Sequence, residues 1–326
     1  MLLHASEAAK AAVVDDAPDD PGPLAKDLSP ELKSPAIRYA MEKVAHWQIR
    51  IAEPNFNSLW TFATLYDGLI AISATTGNST YRDAMPDQIA NTKANLDRLL
   101  THPDDPNKIL WWWCDALYMA PPVLVRMAKI TGDHKYIDFM NRQWDITTTR
   151  LYNPSESLYF RDERYLNQTE ANGKPLFWSR GNGWVIGALV MILQDLPTND
   201  SSRLKFVTKL QDMAAALAAI QGSDGLWRPG LLNPAAYDLP EVSGSAFYTY
   251  AMAYGINEHI LDRKIYEPVV AKAWAGMLTH IYADGRLGCI QPVGAAPGKF
   301  KLSSSSVFGI GGFLLAGSEV DRMAGQ

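Results

Sequence analysis

The sequence predicts an all-α protein, a double-layered α/α toroid in which inner helices surround a pocket and outer helices pack around them. Helices that are apolar on almost every side alternate with amphipathic helices, and a helix of the first kind must be buried between neighbours. The pattern recurs with a period of roughly 50–65 residues, which is typical of a ring of helical hairpins. An α-solenoid is the alternative, although its repeats are usually shorter.

The chain begins with an acidic, proline-rich stretch that predicts a flexible N-terminal arm over residues 1–30, ahead of a single domain over residues 31–320. Ser34 can cap the first helix, with Pro35 at its first helical position. We expect this helix to run to about Ile51. One face of it carries apolar residues at helical spacing: Ile37, Met41, Val44 and Trp47.

The next two hairpins share the motif T-G-[ND]-x-x-Y-x-D-x-M. It begins at Thr76 and again, 55 residues later, at Thr131. Gly77 and Gly132 suit the C-terminal caps of helices, since glycine readily adopts the left-handed conformation found there. The polar residues that follow suit the start of the next helix. Each copy therefore predicts the turn of a helical hairpin.

Three more inner helices are expected to begin near Gly183, Gly244 and Ser304, each after small residues and each followed by an apolar run. Their amphipathic outer partners are predicted at residues 201–220 and 263–282. Short apolar–polar stretches precede these inner helices and predict small β-ribbons at the rim of the pocket. They lie at residues 158–162, 225–229 and 285–290.

Charge and composition exclude several classes of function. A net charge of −5 gives no reason to expect binding to nucleic acid or to anionic lipid. Two cysteines without a C-x-x-C pair and six scattered histidines predict neither a metal site nor a disulfide framework. No apolar run of about 18 residues is present to span a membrane.

The start of the sequence bears on location. Residues 1–12 hold too short an apolar region for a secretory signal. We therefore expect a cytoplasmic protein, or a periplasmic one if a signal peptide lies upstream of this sequence. A monomer or a homodimer is expected.

The stretch WWWCDALYMAPP, residues 111–122, carries the first candidate for chemistry. A carboxyl group among indoles is desolvated, which raises its pKa and keeps it protonated near neutrality. Asp115 is accordingly our candidate general acid. The alternative is a helix N-cap, worth about 1 kcal/mol. Trp113 is expected to line the pocket, whereas core packing better fits one of the other two indoles.

A second motif, FWSRGNGW at residues 177–184, places Arg180 between Trp178 and Trp184. A guanidinium binds carboxylates through two parallel hydrogen bonds, so this arginine suits an acidic sugar. The glycines that follow allow the backbone to approach a ligand closely. The alternative is a structural arginine that caps helix carbonyls. The G-x-G is not a dinucleotide fingerprint, because no strand precedes it and the third glycine is missing.

Together, the two motifs resemble glycoside hydrolase family 105, the unsaturated rhamnogalacturonyl hydrolases, and the related unsaturated glucuronyl hydrolases. The resemblance covers residues 35–320 and implies an (α/α)6 barrel without metal or organic cofactor. It also implies a substrate that ends in a 4,5-unsaturated uronic acid. Asp115 would protonate C4 of the vinyl ether, water would add at C5, and the hemiketal would open to release the sugar. Trp113, Trp178, Arg180 and Trp184 fall on the family's pocket positions.

The chain departs from this family in two places. Members carry an extra helix with paired aspartates, whereas only 25 residues separate Met85 from Trp111 here. These predict one helix, about Pro86 to Leu100, and about eleven helices in the whole chain. Asp67 or Asp87 is then the candidate second carboxylate.

The other departure is Arg161, which lies where relatives often have a pocket histidine. With Tyr159 it is a candidate to touch substrate. We interpret Glu241, before the helix near Gly244, as a solvated loop carboxylate.

The expected activity is removal of unsaturated galacturonic acid from rhamnogalacturonan-derived oligosaccharides. Three alternatives remain open from the sequence. They are an unsaturated glucuronyl hydrolase, an inverting glycosidase with an acid and a base about 6.5–9.5 Å apart, and a catalytically impaired sugar-binding toroid.

Overall fold

The computed structural model describes residues 15–52, 56–57, 59–85 and 109–326. Within these ranges the helices are α1 (Ser34–Ala52), α2 (Trp60–Thr76), α3 (Thr80–Asp83), α4 (Ala116–Met119), α5 (Pro121–Thr131), α6 (Lys135–Leu151), α7 (Ser179–Asp195), α8 (Arg203–Ala219), α9 (Val242–Asn257), α10 (Arg263–Leu278) and α11 (Val307–Ala324). Four two-residue strands accompany them: β1 (Asp15–Asp16), β2 (Tyr152–Asn153), β3 (Leu158–Tyr159) and β4 (Ser305–Ser306). Single 3-10 turns lie at Glu163–Tyr165 and Pro234–Ala236.

The helices form two layers, as predicted. In the inner layer α2 packs on α11, α11 on α9, and α9 on α7, which also contacts α4 and α5. Every residue of α9 is buried, as expected of a helix enclosed on all sides. In the outer layer α1 lies on α11 and α2, α6 on α5, α8 on α7, and α10 on α9.

Glycines allow two inner helices to approach closely. A Cβ atom on Gly311 of α11 would lie 2.1 Å from the backbone oxygen of Thr64 in α2. A Cβ atom on Gly68 of α2 would lie 2.8 Å from Cα of Gly311. Because no side chain fits between the two backbones, α2 and α11 pack directly against each other.

The local predictions at the helix ends are confirmed. Helix α1 begins at Ser34 and ends at Ala52, and its four apolar face residues are buried. Gly77 and Gly132 end α2 and α5 in the left-handed conformation, with φ values of 74° and 71°. The repeated motif therefore marks two equivalent helical turns.

Three long connections lead from the outer layer back to the inner layer. We call them the first lip (residues 152–178), the second lip (residues 220–241) and the third lip (residues 279–306). The first contains the β2–β3 hairpin. The second runs beside the first, where Gly230 pairs with Trp178. In the third, Ile281 pairs with Leu287. Each lip ends where an inner helix begins, so the lips surround one end of the toroid.

The N-terminal segment differs from the predicted flexible arm. Its described part begins with β1, which pairs antiparallel with β4 of the third lip. Ser303 then donates to the backbone oxygen of Pro18 at 2.7 Å, and Ala25 donates to Ile281 at 2.9 Å. The acidic composition suggested a solvated arm, but these carboxylates and carbonyls find partners on the third lip.

Replacing Arg286 by alanine tests this attachment. The buried guanidinium of Arg286 bonds to the Asp16 carboxylate and donates to the Pro21 carbonyl at 3.1 Å. We expect the variant to lose about 1–3 kcal/mol of unfolding free energy in urea titration, since it strands a part-buried carboxylate. The control is Lys301→Ala, whose partner Asp19 is almost fully exposed and which should lose less than about 1 kcal/mol. Equal losses in the two variants would contradict the prediction.

Several predictions fall on residues outside the described ranges. They are the arm over residues 1–14, the helix at Pro86–Leu100 and the carboxylate of Asp87. Within the described ranges, no helix is both long and apolar enough to cross a bilayer.

Candidate active site

The inner helices point their N-termini at a common region, the end that the lips surround. At the start of α7, Gly181 faces Asp115, since a Cβ atom on Gly181 would lie 3.6 Å from Oδ1 of that aspartate. The neighbouring Arg180 lies over the ring of Phe308, in the first turn of α11, at 4.7 Å. Ser179 meets Gly244 of α9, whose Cβ atom would lie 2.4 Å from the serine Oγ. The positive ends of these helix dipoles therefore converge, which favours a bound anion.

Asp115 lies directly before α4, but its side chain accepts no hydrogen bond from that helix. This geometry disfavours the capping role as the reason for the residue. The carboxyl group instead accepts from Sγ of Cys114 at 3.3 Å and lies 3.7 Å from Nε of Arg161. It is 13% exposed. Burial raises its pKa, and the charge of Arg161 opposes that rise without cancelling it. Asp115 is thus a partly accessible acid that holds its proton more tightly than a solvated aspartate does.

Arg161 is held in place by a second aspartate. Its Nη1 donates to Asp162 at 2.6 Å, and Asp162 also accepts two bonds from the side chain of Arg164. Burial alone would raise the pKa of Asp162, but the hydrogen bonds from Arg164 and Arg161 lower it to about 2. Asp162 therefore stays ionised and fixes Arg161 beside Asp115. The sequence reading missed Asp162, although an aspartate between two arginines of the first lip was the available signal.

The three adjacent tryptophans have different environments. Trp111 is buried and packs edge-on against Phe139 at 6.1 Å, so it is the core indole that was expected among the three. Trp113 is half-buried, and its backbone pairs with Asp162. Trp112 is 45% exposed, with its ring 4.5 Å from that of Trp113 and 5.7 Å from the guanidinium of Arg161. The structure thus brings Trp113 and Arg161 together near Asp115, with Trp112 as a partner that sequence reasoning had not singled out.

Arg180 lies in the interior and has partners there. It is 2% exposed and donates to the backbone oxygens of Gln291 and Pro292 in the third lip. Its Nη1 is 3.8 Å from Oε1 of Glu241, and its guanidinium stacks on Trp178 at 4.5 Å. These contacts match the structural alternative more closely than a free pocket arginine. A direct role of Arg180 in substrate binding stays a prediction.

Glu241 and Trp178 complete this buried network. The interpretation of Glu241 as a solvated carboxylate was wrong: it is 0% exposed and accepts from the backbone N–H of Gly244 at 2.6 Å. Trp178 is also buried and donates from Nε1 to Gln291 at 3.0 Å. The glutamate caps α9 as an acceptor, and its apolar neighbours in sequence concealed how deeply it lies.

Trp184 belongs to an aromatic cluster behind the site. It is buried between Tyr118 and Phe247, with ring centroids 4.8 and 4.7 Å away. Trp60, the first residue of α2, lies edge-on to Trp184 at 6.4 Å, stacks on Phe308 at 6.3 Å and is 47% exposed. An exposed indole on this cluster is a surface for the apolar face of a sugar. The sequence reading passed over Trp60 because no acid or glycine flanks it.

The structure does not bring Asp67 to Asp115. Asp67 on α2 lies 3.6 Å from Arg126, which in turn binds Asp195 at 3.0 Å. Asp195 is the last residue of α7, whereas Asp115 meets Gly181 in its first turn. At 1.5 Å per residue these two points of α7 are about 21 Å apart. Asp67 therefore forms an ion pair towards the opposite end of the toroid. Tyr159 is likewise fully buried, with its hydroxyl on Thr148.

The residues that the structure describes include no group of three or more His, Cys, Asp or Glu side chains placed to hold a metal ion. The chemistry of the site therefore has to come from Asp115, its arginine and the surrounding indoles. We turn next to proteins with a similar sequence or fold.

A model of the family described as Glycosyl Hydrolase Family 88 matches residues 85–324. The chain belongs to glycosyl hydrolase family 88. The kinship with unsaturated uronyl hydrolases, predicted from the two tryptophan-rich motifs, is confirmed. A crystallised family 88 protein from Bacteroides vulgatus superposes with a TM-score of 0.82 at 30% identity, over 89% of this chain and 99% of that one. The toroid is thus the fold of this family.

Two relatives carry a more specific name. An unsaturated 3S-rhamnoglycuronyl hydrolase from Formosa agariphila is 46% identical over 249 residues, which is 71% of this chain and 66% of that protein. A protein of the same name from an Alteromonas species is 38% identical over 65% of this chain and 52% of its own length. The family 88 chain therefore spans between half and just under two thirds of these curated relatives.

Proposed function

We propose that this protein removes a terminal 4,5-unsaturated uronyl residue from a rhamnose-containing oligosaccharide by hydrating its vinyl ether, with Asp115 as the general acid. The observation that carries the proposal is the state of the Asp115 carboxyl group. It is accessible, its pKa is raised by burial, and it lies where the N-termini of the inner helices converge. Such a site binds an anionic sugar next to a group that can donate a proton.

The proposed reaction needs one proton donor and one water molecule. Asp115 transfers its proton to C4 of the C4=C5 bond, and the cation left at C5 is stabilised by the ring oxygen. Water adds to C5 and returns a proton to the Asp115 carboxylate. The resulting hemiketal opens, and the linked sugar leaves as its alcohol. Because Asp115 both gives and regains the proton, the absence of a neighbouring free carboxylate does not prevent turnover. Asp162 cannot donate near neutrality, since its pKa is about 2.

Arg161 is the residue best placed to bind the uronate carboxylate. Its Nε is buried and, among the described residues, has no hydrogen-bond partner. A buried donor without an acceptor costs free energy, which a substrate carboxylate would relieve. Trp112 and Trp113 beside it, and Trp60 on the aromatic cluster, would flank the sugar ring. This arrangement assigns to Arg161 the role that the sequence resemblance gave to Arg180.

The linked sugar follows from the relatives. Both curated proteins are named for an unsaturated rhamnoglycuronyl substrate, and the expected rhamnogalacturonan fragment also joins an unsaturated uronate to rhamnose. We infer that rhamnose is the sugar next to the uronate. Parallel assays of unsaturated galacturonyl- and glucuronyl-rhamnose decide between the two uronates.

The test is loss of the ultraviolet absorbance of the unsaturated uronate on lyase-made disaccharides. We expect the purified protein to remove this absorbance and to release rhamnose in equal amount. A saturated disaccharide of the same sugars should remain intact, because hydration requires the double bond. Cleavage of the saturated compound would identify an ordinary glycosidase instead, and no turnover of any unsaturated disaccharide would overturn the proposal.

Replacing Arg161 by glutamine should change both binding and the pH profile. Turnover needs protonated Asp115, so kcat falls as pH rises through the pKa of that carboxyl. The charge of Arg161 lowers this pKa, so its removal should move the alkaline limb of the kcat profile to higher pH. We also expect KM to rise about tenfold, the effect of losing one charged hydrogen bond.

The matched control is Arg164→Gln. Arg164 binds the same Asp162 but is largely exposed, so its removal should leave the alkaline limb in place. A limb that moves equally in both variants, or in neither, would contradict the role given to Arg161.

A further inference from the structure

We propose that a cavity between the first and second lips binds the part of the saccharide beyond the cleaved unit, so that the protein prefers an oligosaccharide to a disaccharide. The inference rests on the proposed function and extends it to the remainder of the substrate. The cavity has a volume of about 510 Å³, within the range of 300–1,000 Å³ that is typical of ligand pockets. Asp115 and Arg161 are not among the residues that line it.

The cavity lies at the same end of the toroid as Asp115 and is continuous with the site. Its second-lip wall includes Arg228 and Leu231. Between these residues the lip is bonded to the start of α7, where Ser179 donates to Pro229 at 2.8 Å. Two residues further along α7, Gly181 faces Asp115. Less than one helical turn, about 5.4 Å along the axis, therefore separates the cavity wall from the residue against the acid.

The lining combines apolar and polar groups in the way a sugar requires. Ile220 and Leu226 supply apolar surface, while Ser223 supplies a hydroxyl at the rim. Pyranose rings present apolar C–H faces and hydroxyl edges together, so a purely apolar molecule would leave the polar groups of this cavity without partners.

Two charged side chains at the cavity have no partner in the part of the chain that the structure describes. Lys174 and Glu156 both line the cavity, and the described residues offer neither of them an ion pair. The third charged group, Arg228, is bound to Asp224 at 2.9 Å. Lys174 therefore provides a free cation for an acidic sugar, and Glu156 an acceptor for hydroxyl groups. An alternating chain of uronate and rhamnose presents both kinds of group.

The test compares an unsaturated uronyl-rhamnose disaccharide with the corresponding tetrasaccharide made by the same lyase. We expect the native protein to show a lower KM for the tetrasaccharide. Lys174→Glu should raise the KM for the tetrasaccharide about tenfold, the effect of losing one hydrogen bond to a charged group. The KM for the disaccharide and both kcat values should change less than about twofold.

A second variant and a control complete the design. Ala235→Trp places an indole in the cavity from an exposed position of the second lip and should remove the preference for the tetrasaccharide. Lys264→Glu makes the same charge change on the exposed face of α10 and should alter neither KM. An equal KM for both substrates in the native protein, or equal changes for both in Lys174→Glu, would overturn the subsite.

The subsite can be judged even if the proposed function fails. If the native protein consumes neither substrate, calorimetric titration with the tetrasaccharide still measures binding. Weaker binding in both Lys174→Glu and Ala235→Trp supports the cavity as a saccharide site. Unchanged binding in those variants, or no binding by the native protein, overturns it.

Discussion

Asp115→Asn is expected to lower kcat about a thousandfold, within the contribution of 10²–10⁴ typical of a positioned general acid. Asparagine keeps the shape of the side chain and its contacts with Cys114 and Arg161 but has no proton to give to C4. The variant should still bind the unsaturated disaccharide. The measurement is the initial rate of absorbance loss, together with calorimetric titration of the substrate.

The same variant should be more stable than the native protein at neutral pH. Burial raises the pKa of Asp115 in the folded state, so the stability linked to this group is complete at low pH and is lost as pH rises through the raised pKa. Asparagine cannot ionise and escapes that loss. The gain in Tm should therefore grow from acidic to neutral pH.

Asp212→Asn, on the exposed face of α8, is the control for Asp115→Asn. It should change neither rate nor Tm. A rate in Asp115→Asn within about tenfold of native would remove Asp115 from the role of acid.

Arg180→Met is expected to lower the free energy of unfolding by about 3–5 kcal/mol, the usual effect of breaking a buried ion pair by removing one partner. The substitution leaves Glu241 in the interior without its nearest cation and removes the donor to two third-lip carbonyls. Methionine keeps much of the volume, so the loss reports electrostatics and hydrogen bonds more than a cavity. Urea unfolding followed by tryptophan fluorescence measures it.

The control for this prediction is Arg150→Met. Arg150 binds Glu163 on the surface at 2.7 Å, with both side chains about half exposed, and its removal should cost less than about 1 kcal/mol. A loss of stability in Arg180→Met as small as in the control, accompanied by a large rise in KM, would contradict the structural role. It would instead support the uronate-binding role that the sequence motif suggested for Arg180.

The elements that the sequence predicts well are those that local chemistry determines. Gly77 and Gly132 end helices because their backbone conformation favours glycine, and Ser34-Pro35 begins one because both residues suit that position. The alternation of apolar and amphipathic helices is equally local. Asp115 was recognisable as a site residue because its indole neighbours adjoin it in the chain.

The remaining features depend on residues that are distant in sequence. Arg180 is bound by Gln291 and Pro292, which lie 111 and 112 residues away, so its internal role had no local signature. The acidic stretch near Asp16 resembles a solvated arm until its partner Arg286, 270 residues later, is known. Asp67 faces the opposite end because the rotation of α2 about its own axis is set by packing and not by its sequence neighbours.

The position of α11 has a consequence for how the chain folds. The last helix to be synthesised packs between α2, the second, and α9. Until α11 leaves the ribosome, the face of α2 that meets it has no native neighbour there, although α2 emerged more than 200 residues earlier. Contacts of such high sequence separation slow folding and leave apolar surface open to association with other chains in the meantime. The ring thus remains incomplete until the end of synthesis, and a protein shortened at its C-terminus would retain an unpaired inner helix.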